Sequence, residues 1–420
     1  MNNFLNKNIS KILTFFIIIN PILDLISGLN NHYFNLPINI NQIVRILFLI
    51  CGTIYLLFIC KNKKNYIYLL LFFIYFILFG FNIYFTKSSD ILFYELKNSL
   101  LFFYFPLSLL IFYNLFKYYD VKIDIKYLYY TLFIYLIFIS IPNLFNIGFS
   151  SYLEGKKGSS GWFNSANAVS SIISILTPFI LIYFKNNKIN LLFILLFLYS
   201  ILTLGTKVPL MSLVIVLFFN LIYLIYKLFL NNDIKKIFIS LITTAILIIL
   251  SIILIPKTTF YENIKIHLNY LGVEKPIQII TDIDVIDRFI FSDRLSFLSN
   301  TKSNYDNSSI YSKLLGIGYI ENYSSDNVST KMIEIDYYDI FYRHGLIGFI
   351  IFFTPVLVIT YKIFKKANIN NFNNLNKFIS ILLIYLLSLF SGHILTVPNV
   401  SIFVTLILCT TLFKDSLYLD

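Results

Sequence analysis

Six titratable side chains crowd one short stretch, KMIEIDYYDIFYRHGLIGF at 331–349: Lys331, Glu334, Asp336, Asp339, Arg343 and His344. A long apolar run follows them. On a helix, Asp336, Asp339 and Arg343 recur at i, i+3 and i+7 and share one face. Asp339 and Arg343 can pair across a turn. Acids at a helix start gain about 0.3–1 kcal/mol each from the dipole. That accounts for one or two of them and leaves the rest of the cluster unexplained. Carboxylates at the edge of an apolar medium suit general-base work. Glu334, Asp336, Asp339 and His344 are therefore the candidate catalytic groups, with Arg343 beside them as a substrate-binding cation.

Other candidates lie far away in the chain. Asp24 and Arg45 fall inside the first two apolar runs. At 1.5 Å per residue each lies within about 10 Å of the same membrane surface. They can form a structural ion pair, or Arg45 can face a cavity and bind an anion. Lys207, in LTLGTKVPL, either snorkels to the interface or binds phosphate beside a permissive Gly205. In GSSGWFNSANAVS, Trp162 fits an interfacial belt and Asn164 or Ser165 can cap a helix, which leaves Asn167 as a binding candidate. Arg288 and Arg294 are expected on one helix over 287–300, about 120° apart around its axis. His393, in SGHILTVPN, completes the set.

The elements that position these groups are transmembrane helices. The 420 residues are 58% hydrophobic and 13% charged, against about 25% charged in soluble domains. Ile/Leu-rich runs such as 237–255 do not alternate as barrel strands do. About twelve spans are expected: 11–30, 39–60, 65–85, 98–116, 127–147, 164–184, 189–205, 208–230, 237–255, 337–361, 377–394 and 399–413. The net charge of +12 falls in alternate loops, at Lys61/63/64, Lys117/122/126, Lys185/188, Lys227/235/236 and Lys362/365/366. That placement reads as topology with both termini inside, and no nucleic-acid partner is expected.

One connection breaks the rhythm of short loops. The division is nine helices in 1–255, a polar extracytoplasmic loop over 256–336, and three helices in 337–420, all one membrane domain. Thr258–Gly272 carries Phe260, Ile264, Leu268 and Leu271 at helical spacing. LLGIGY at 314–319 is a glycine-punctuated turn. Cys51, Cys60 and Cys409 lie in apolar runs and pair as neither disulfide nor metal site. No nucleotide-binding motif is present, so no cofactor and no metal are expected. An internal repeat, expected of a transporter, is not evident.

An ordered set of short stretches resembles the O-antigen ligase and polymerase superfamily. They are PILDLISGL, GWFNSAN, LGTK, SDRLSF followed by LLGIGY, IEIDYYDIFYRHGLIGF and GHILTVPN. The resemblance covers nearly the whole chain. It implies a metal-independent glycosyltransferase of the bacterial cytoplasmic membrane. Such an enzyme moves a saccharide from polyprenyl pyrophosphate to an acceptor hydroxyl on the outer face, building polysaccharides of the capsule or cell wall. Its partners would be that lipid-linked saccharide, membrane lipids and other polysaccharide-assembly proteins. By the same likeness Arg45, Lys207, Arg288 and Arg294 would hold pyrophosphate and acceptor. Many ligases carry a His-Asn pair where this chain has Glu334 and Asp336, which leaves the base open. Polymerase is the expected activity; ligase and lipid-linked sugar flippase are the alternatives.

Overall fold

A computed structural model describes the chain except residues 1, 35–39, 61, 88, 120, 152–156, 189, 232–255, 257, 274–280, 293, 321–332, 368, 391, 393, 414–416 and 419–420. The bundle opens with α1 (Asn2–Leu29), α2 (Ile40–Ile54), α3 (Lys63–Thr86), α4 (Ser89–Phe102) and α5 (Tyr104–Tyr119). A two-residue strand β1 (Ile123–Asp124) leads into α6 (Ile125–Leu144), α7 (Ala166–Asn186), α8 (Leu191–Thr203) and α9 (Val208–Leu230). Four short helices follow: α10 (Thr259–Tyr270), α11 (Ile283–Ile286), α12 (Arg294–Asp306) and α13 (Ile310–Leu315). The chain closes with α14 (Asp336–Lys365), α15 (Phe372–Phe390), α16 (Pro398–Leu412) and β2 (Leu417–Tyr418). The one sheet among the described residues is β1 paired in parallel with β2, tying the C-terminal segment to the start of α6.

Among the described residues eight helices are long and apolar enough to cross a membrane, or nine if α4 and α5, bent by 40°, form one broken span. The expected count of about twelve is not reached among the described residues. The expected span 237–255 lies outside the described residues. Two others are short: α8 has 13 residues and α16 has 15, or about 20 and 22 Å at 1.5 Å per residue, against a core of roughly 30 Å. In α16 every side chain from Val400 to Leu412 is buried. A helix wrapped in protein need not match the bilayer in length. The apolar window of α7 is likewise 78% buried, whereas that of α9 is 17%, so α7 is central and α9 peripheral.

The connection before α14 also departs from expectation. α10 forms where the apolar spacing places it, capped by Thr258 accepting from Tyr261 N. The helix expected over 287–300 is broken. α11 runs on as a π-helical turn, Asp287–Phe291, and Ser292 turns left-handed at φ 55°. Asp287 then accepts from Leu295 N and Ser296 N, which satisfies the free N–H groups that open α12. Arg288 and Arg294 thus sit on separate elements, and the 120° relation between them does not hold.

Glycines bring this connection onto α14. α14 kinks at Gly345, with φ 64° and ψ −175°. A Cβ there would lie 2.5 Å from Gly316 N, and one on Gly316 would lie 2.0 Å from Arg343 O. Both contacts are to backbone, which cannot swing aside. Gly316→Ala is expected to cost at least about 1–3 kcal/mol, seen as a lower melting temperature and less monodisperse protein in detergent. Unchanged values would mean the two segments are not held in this contact.

Candidate functional site

A cavity of about 350 Å³ opens where the ends of α1, α2, α7 and α16 meet. Asp24 and Ser27 of α1, Asn41, Gln42 and Arg45 of α2, and Asn164, Ser165 and Asn167 line one side. Glu334, Gly392 and the 397–399 turn line the other. Gly28 permits the first side to form, since a Cβ on it would lie 2.2 Å from Trp162 O. Ser165 caps α7 by accepting from Ala168 N; Asn164 and Asn167 are left for the cavity.

Asp24 is the hub of the α1–α2 wall. One carboxylate oxygen accepts from Arg45 Nη2 at 2.8 Å and Asn41 Nδ2 at 2.9 Å; the other accepts from Tyr135 OH at 2.6 Å. The ion-pair reading of these two residues holds, and Arg45 also belongs to the cavity lining. Its buried Nε has no hydrogen-bond partner among the described residues.

Across the cavity, Glu334 holds a left-handed backbone at φ 61°. Such a conformation costs a non-glycine residue about 1–3 kcal/mol and persists only where its surroundings enforce it. Here Asp339 accepts from Glu334 N at 2.8 Å and Ile333 N at 3.1 Å. Gly392 packs so closely that a Cβ would lie 2.3 Å from Glu334 O. Glu334 Oε2 accepts from Arg294 Nη2 at 2.9 Å, and Arg294 also donates to Phe390 O. Arg45, Asn167 and Glu334, with Arg294 at the edge, thus converge from four distant parts of the chain. With that convergence in place, the match of a family profile for an O-antigen ligase like membrane protein to residues 6–284 and 274–415 decides the family.

The chain belongs to the O-antigen ligase like membrane protein family. No curated protein matches it. As a family member it is a multi-pass membrane protein of polysaccharide assembly.

Four other site candidates of this ligase-family protein stand behind the cavity and do not line it. Asp336, fully buried, accepts from Ile394 N, Leu395 N and Thr396 Oγ1, each at 2.8 Å, and so shapes the turn that carries 397–399. Asp339 and Arg343 pair at 3.2 Å with neither side chain exposed. Arg343 also donates to Gly318 O and Tyr319 O. His344 is enclosed, Nδ1 against Tyr75 OH at 2.8 Å and Nε2 against Tyr319 OH at 2.7 Å. Burial pushes the Tyr319 phenol well above its ordinary pKa, so it stays a hydroxyl. Both imidazole nitrogens are engaged, and no substrate hydroxyl reaches them in this arrangement.

Lys207 also lies off the cavity lining. Its ammonium donates to Phe289 O and sits 4.0 Å from the centre of the Phe289 ring. It fastens to the bundle the π-helical turn that bears the exposed Arg288. His393 lies outside the described residues.

The residue reading passed over Glu95, which is fully buried, pairs with Lys87 at 2.6 Å and accepts from Tyr319 N and Ile320 N. An acid inside an apolar run was the available signal. It also passed over Tyr75, Tyr135 and Tyr319. Among 32 tyrosines nothing marks those three.

Proposed function

We propose that the protein transfers a saccharide from polyprenyl pyrophosphate to a sugar hydroxyl at the outer face of the bacterial cytoplasmic membrane, elongating a polysaccharide as a polymerase. Both termini are then cytoplasmic and the cavity faces outward. The convergence of Arg45, Asn167 and Glu334 on one cavity, with Arg294 bridging to the 256–336 connection, carries the reading. Glu334 is the general base. It takes the proton of the acceptor hydroxyl as the new C–O bond forms at the anomeric carbon. The bond from that carbon to the pyrophosphate oxygen breaks, and the electron pair leaves with the pyrophosphate. Arg294, with Arg288 on the adjoining turn that Lys207 fastens to the bundle, meets the growing negative charge at the cavity mouth. The incoming pyrophosphate competes with Glu334 for Arg294, which frees the carboxylate at the moment a donor is present. Arg45 holds an oxygen of the sugar.

Asp336, Asp339, Arg343 and His344 act in this scheme as positioning residues. They fix the Glu334 backbone, the turn opposite it and the kink of α14. The test is purified protein in nanodiscs supplied with lipid-linked repeat units. A ladder of products supports polymerase, single transfer to a carrier means ligase, and movement of lipid-linked sugar across a vesicle without product means flippase. Lys207→Ala is expected to slow the ladder about tenfold, because it loosens an element bearing Arg288 without touching the cavity. Full activity would remove the basic rim from the mechanism.

A further inference from the structure

The cavity lining sets a cationic donor, Arg45, beside a side-chain amide, Asn399, that can both donate and accept. A ligand that matches such a lining accepts and donates. A phosphate or carboxylate only accepts, and an ammonium only donates. A hydroxyl does both, and so does an acetamido group. The rest of the lining has the same double character, supplied by Ser27, Gln42, Asn164 and Asn167.

Charge points the same way. The titratable residues lining the cavity among those described are Asp24, Arg45 and Glu334. Asp24 is met by Arg45 at 2.8 Å and Glu334 by Arg294 at 2.9 Å. The four charges cancel. A ligand carboxylate would enter a confined space beside two carboxylates whose cations are already engaged, and like charges at close range oppose each other strongly. The volume, about 350 Å³, is at the small end of ligand pockets and suits a sugar unit or two, with lipid and diphosphate left at the mouth.

We infer that this cavity is a subsite for an uncharged, hydroxyl- or acetamido-bearing sugar and selects against uronic acids and other acidic sugars. The inference rests on the saccharide-transfer reading and deepens it. Glu334 sets the selectivity as well as serving the chemistry, because it is the one charged residue of the lining, among those described, whose side chain is not buried, 32% exposed against 6–7% for Asp24 and Arg45.

The experiment is saturation-transfer NMR on the protein in nanodiscs. The probes are matched pairs of disaccharides, each pair identical except that a C6 hydroxymethyl in one is a carboxylate in the other: glucose with glucuronate, galactose with galacturonate, N-acetylglucosamine with its uronate. Within each pair that binds, the neutral member is expected to bind about tenfold or more tightly. Glu334→Gln leaves Arg294 without its carboxylate and is expected to erase or invert that preference, while Asn399→Ala weakens the neutral member alone. Uronates binding as well as their neutral partners to the unaltered protein, or no neutral probe binding at all, would overturn the inference. So would a preference untouched by Glu334→Gln. Binding is read here without turnover. A protein that shows the preference yet builds no ladder from neutral lipid-linked units keeps the subsite and loses the transfer reading.

Discussion

Glu334→Gln is expected to lower kcat for saccharide transfer by about 10²–10⁴-fold with no rise in KM for the lipid-linked donor, which falls if anything because Arg294 is no longer held by the carboxylate. The glutamine keeps the size of the side chain and can still meet a hydroxyl, but it cannot take its proton. A loss confined to kcat marks an interaction made in the transition state; a rise in KM marks ordinary binding. The backbone frame of Glu334 does not depend on its carboxylate. The φ of 61° is enforced by Asp339 from below and Gly392 from the side. The ion pair with Arg294 is lost, but the Glu334 side chain is 32% exposed, and partly solvated pairs contribute little to stability. Folded yield should therefore stay near that of the unaltered protein. Glu334→Asp retains a carboxylate one methylene short and should recover part of the rate. A glutamine variant with full kcat would remove Glu334 as base, whatever the fate of the cavity. Arg45→Ala should behave differently. It removes a sugar contact and strips Asp24 of its counter-ion, so KM should rise and stability fall together.

The membrane class was legible because length and apolarity are one-dimensional properties, and most of the helices began and ended close to where hydropathy placed them. The broken helix at Ser292 was not legible. The cause is a carboxylate, Asp287, that caps the next helix from the end of its predecessor, and a helical-wheel argument assumes no such break. The site was half legible. Charges in apolar surroundings announce themselves, so Arg45, Glu334 and Arg294 could be singled out. Which of the acids faces a ligand depends on backbone direction, and that is set by contacts between distant segments. Asp336 and Asp339 share a helix face, yet each is turned to backbone N–H groups outside the helix, at 394–395 and at 333–334. Glu334, two residues before the helix, turns the other way because its φ is positive. Pairs such as Gly316 with Gly345 carry no signal in one sequence beyond the presence of glycine.

Asp339→Ala is expected to be the most damaging change for the fold, at about 3–5 kcal/mol. Asp339 accepts from three donors, Ile333 N, Glu334 N and Arg343 Nε. Arg343 is fully enclosed, and deleting its counter-ion leaves a buried guanidinium with carbonyl oxygens for company. Removing one member of a buried pair carries the desolvation penalty of the other, whereas exchanging both for apolar groups of like volume is often neutral. The double substitution Asp339→Leu with Arg343→Met should therefore recover most of the melting temperature lost in Asp339→Ala. It should not recover activity. Glu334 N would still lack its acceptor, its strained backbone would relax, and the carboxylate would leave the cavity. Melting in detergent reads the first half of this expectation and the product ladder reads the second. If the double variant regains stability and also builds a normal ladder, Asp339 serves the fold alone, and the orientation of Glu334 must come from Gly392 and Arg294. If it regains neither, the pair stabilises the bundle through more than its mutual charge, and the polar net linking 316–320, Glu95 and α14 becomes the unit to dissect.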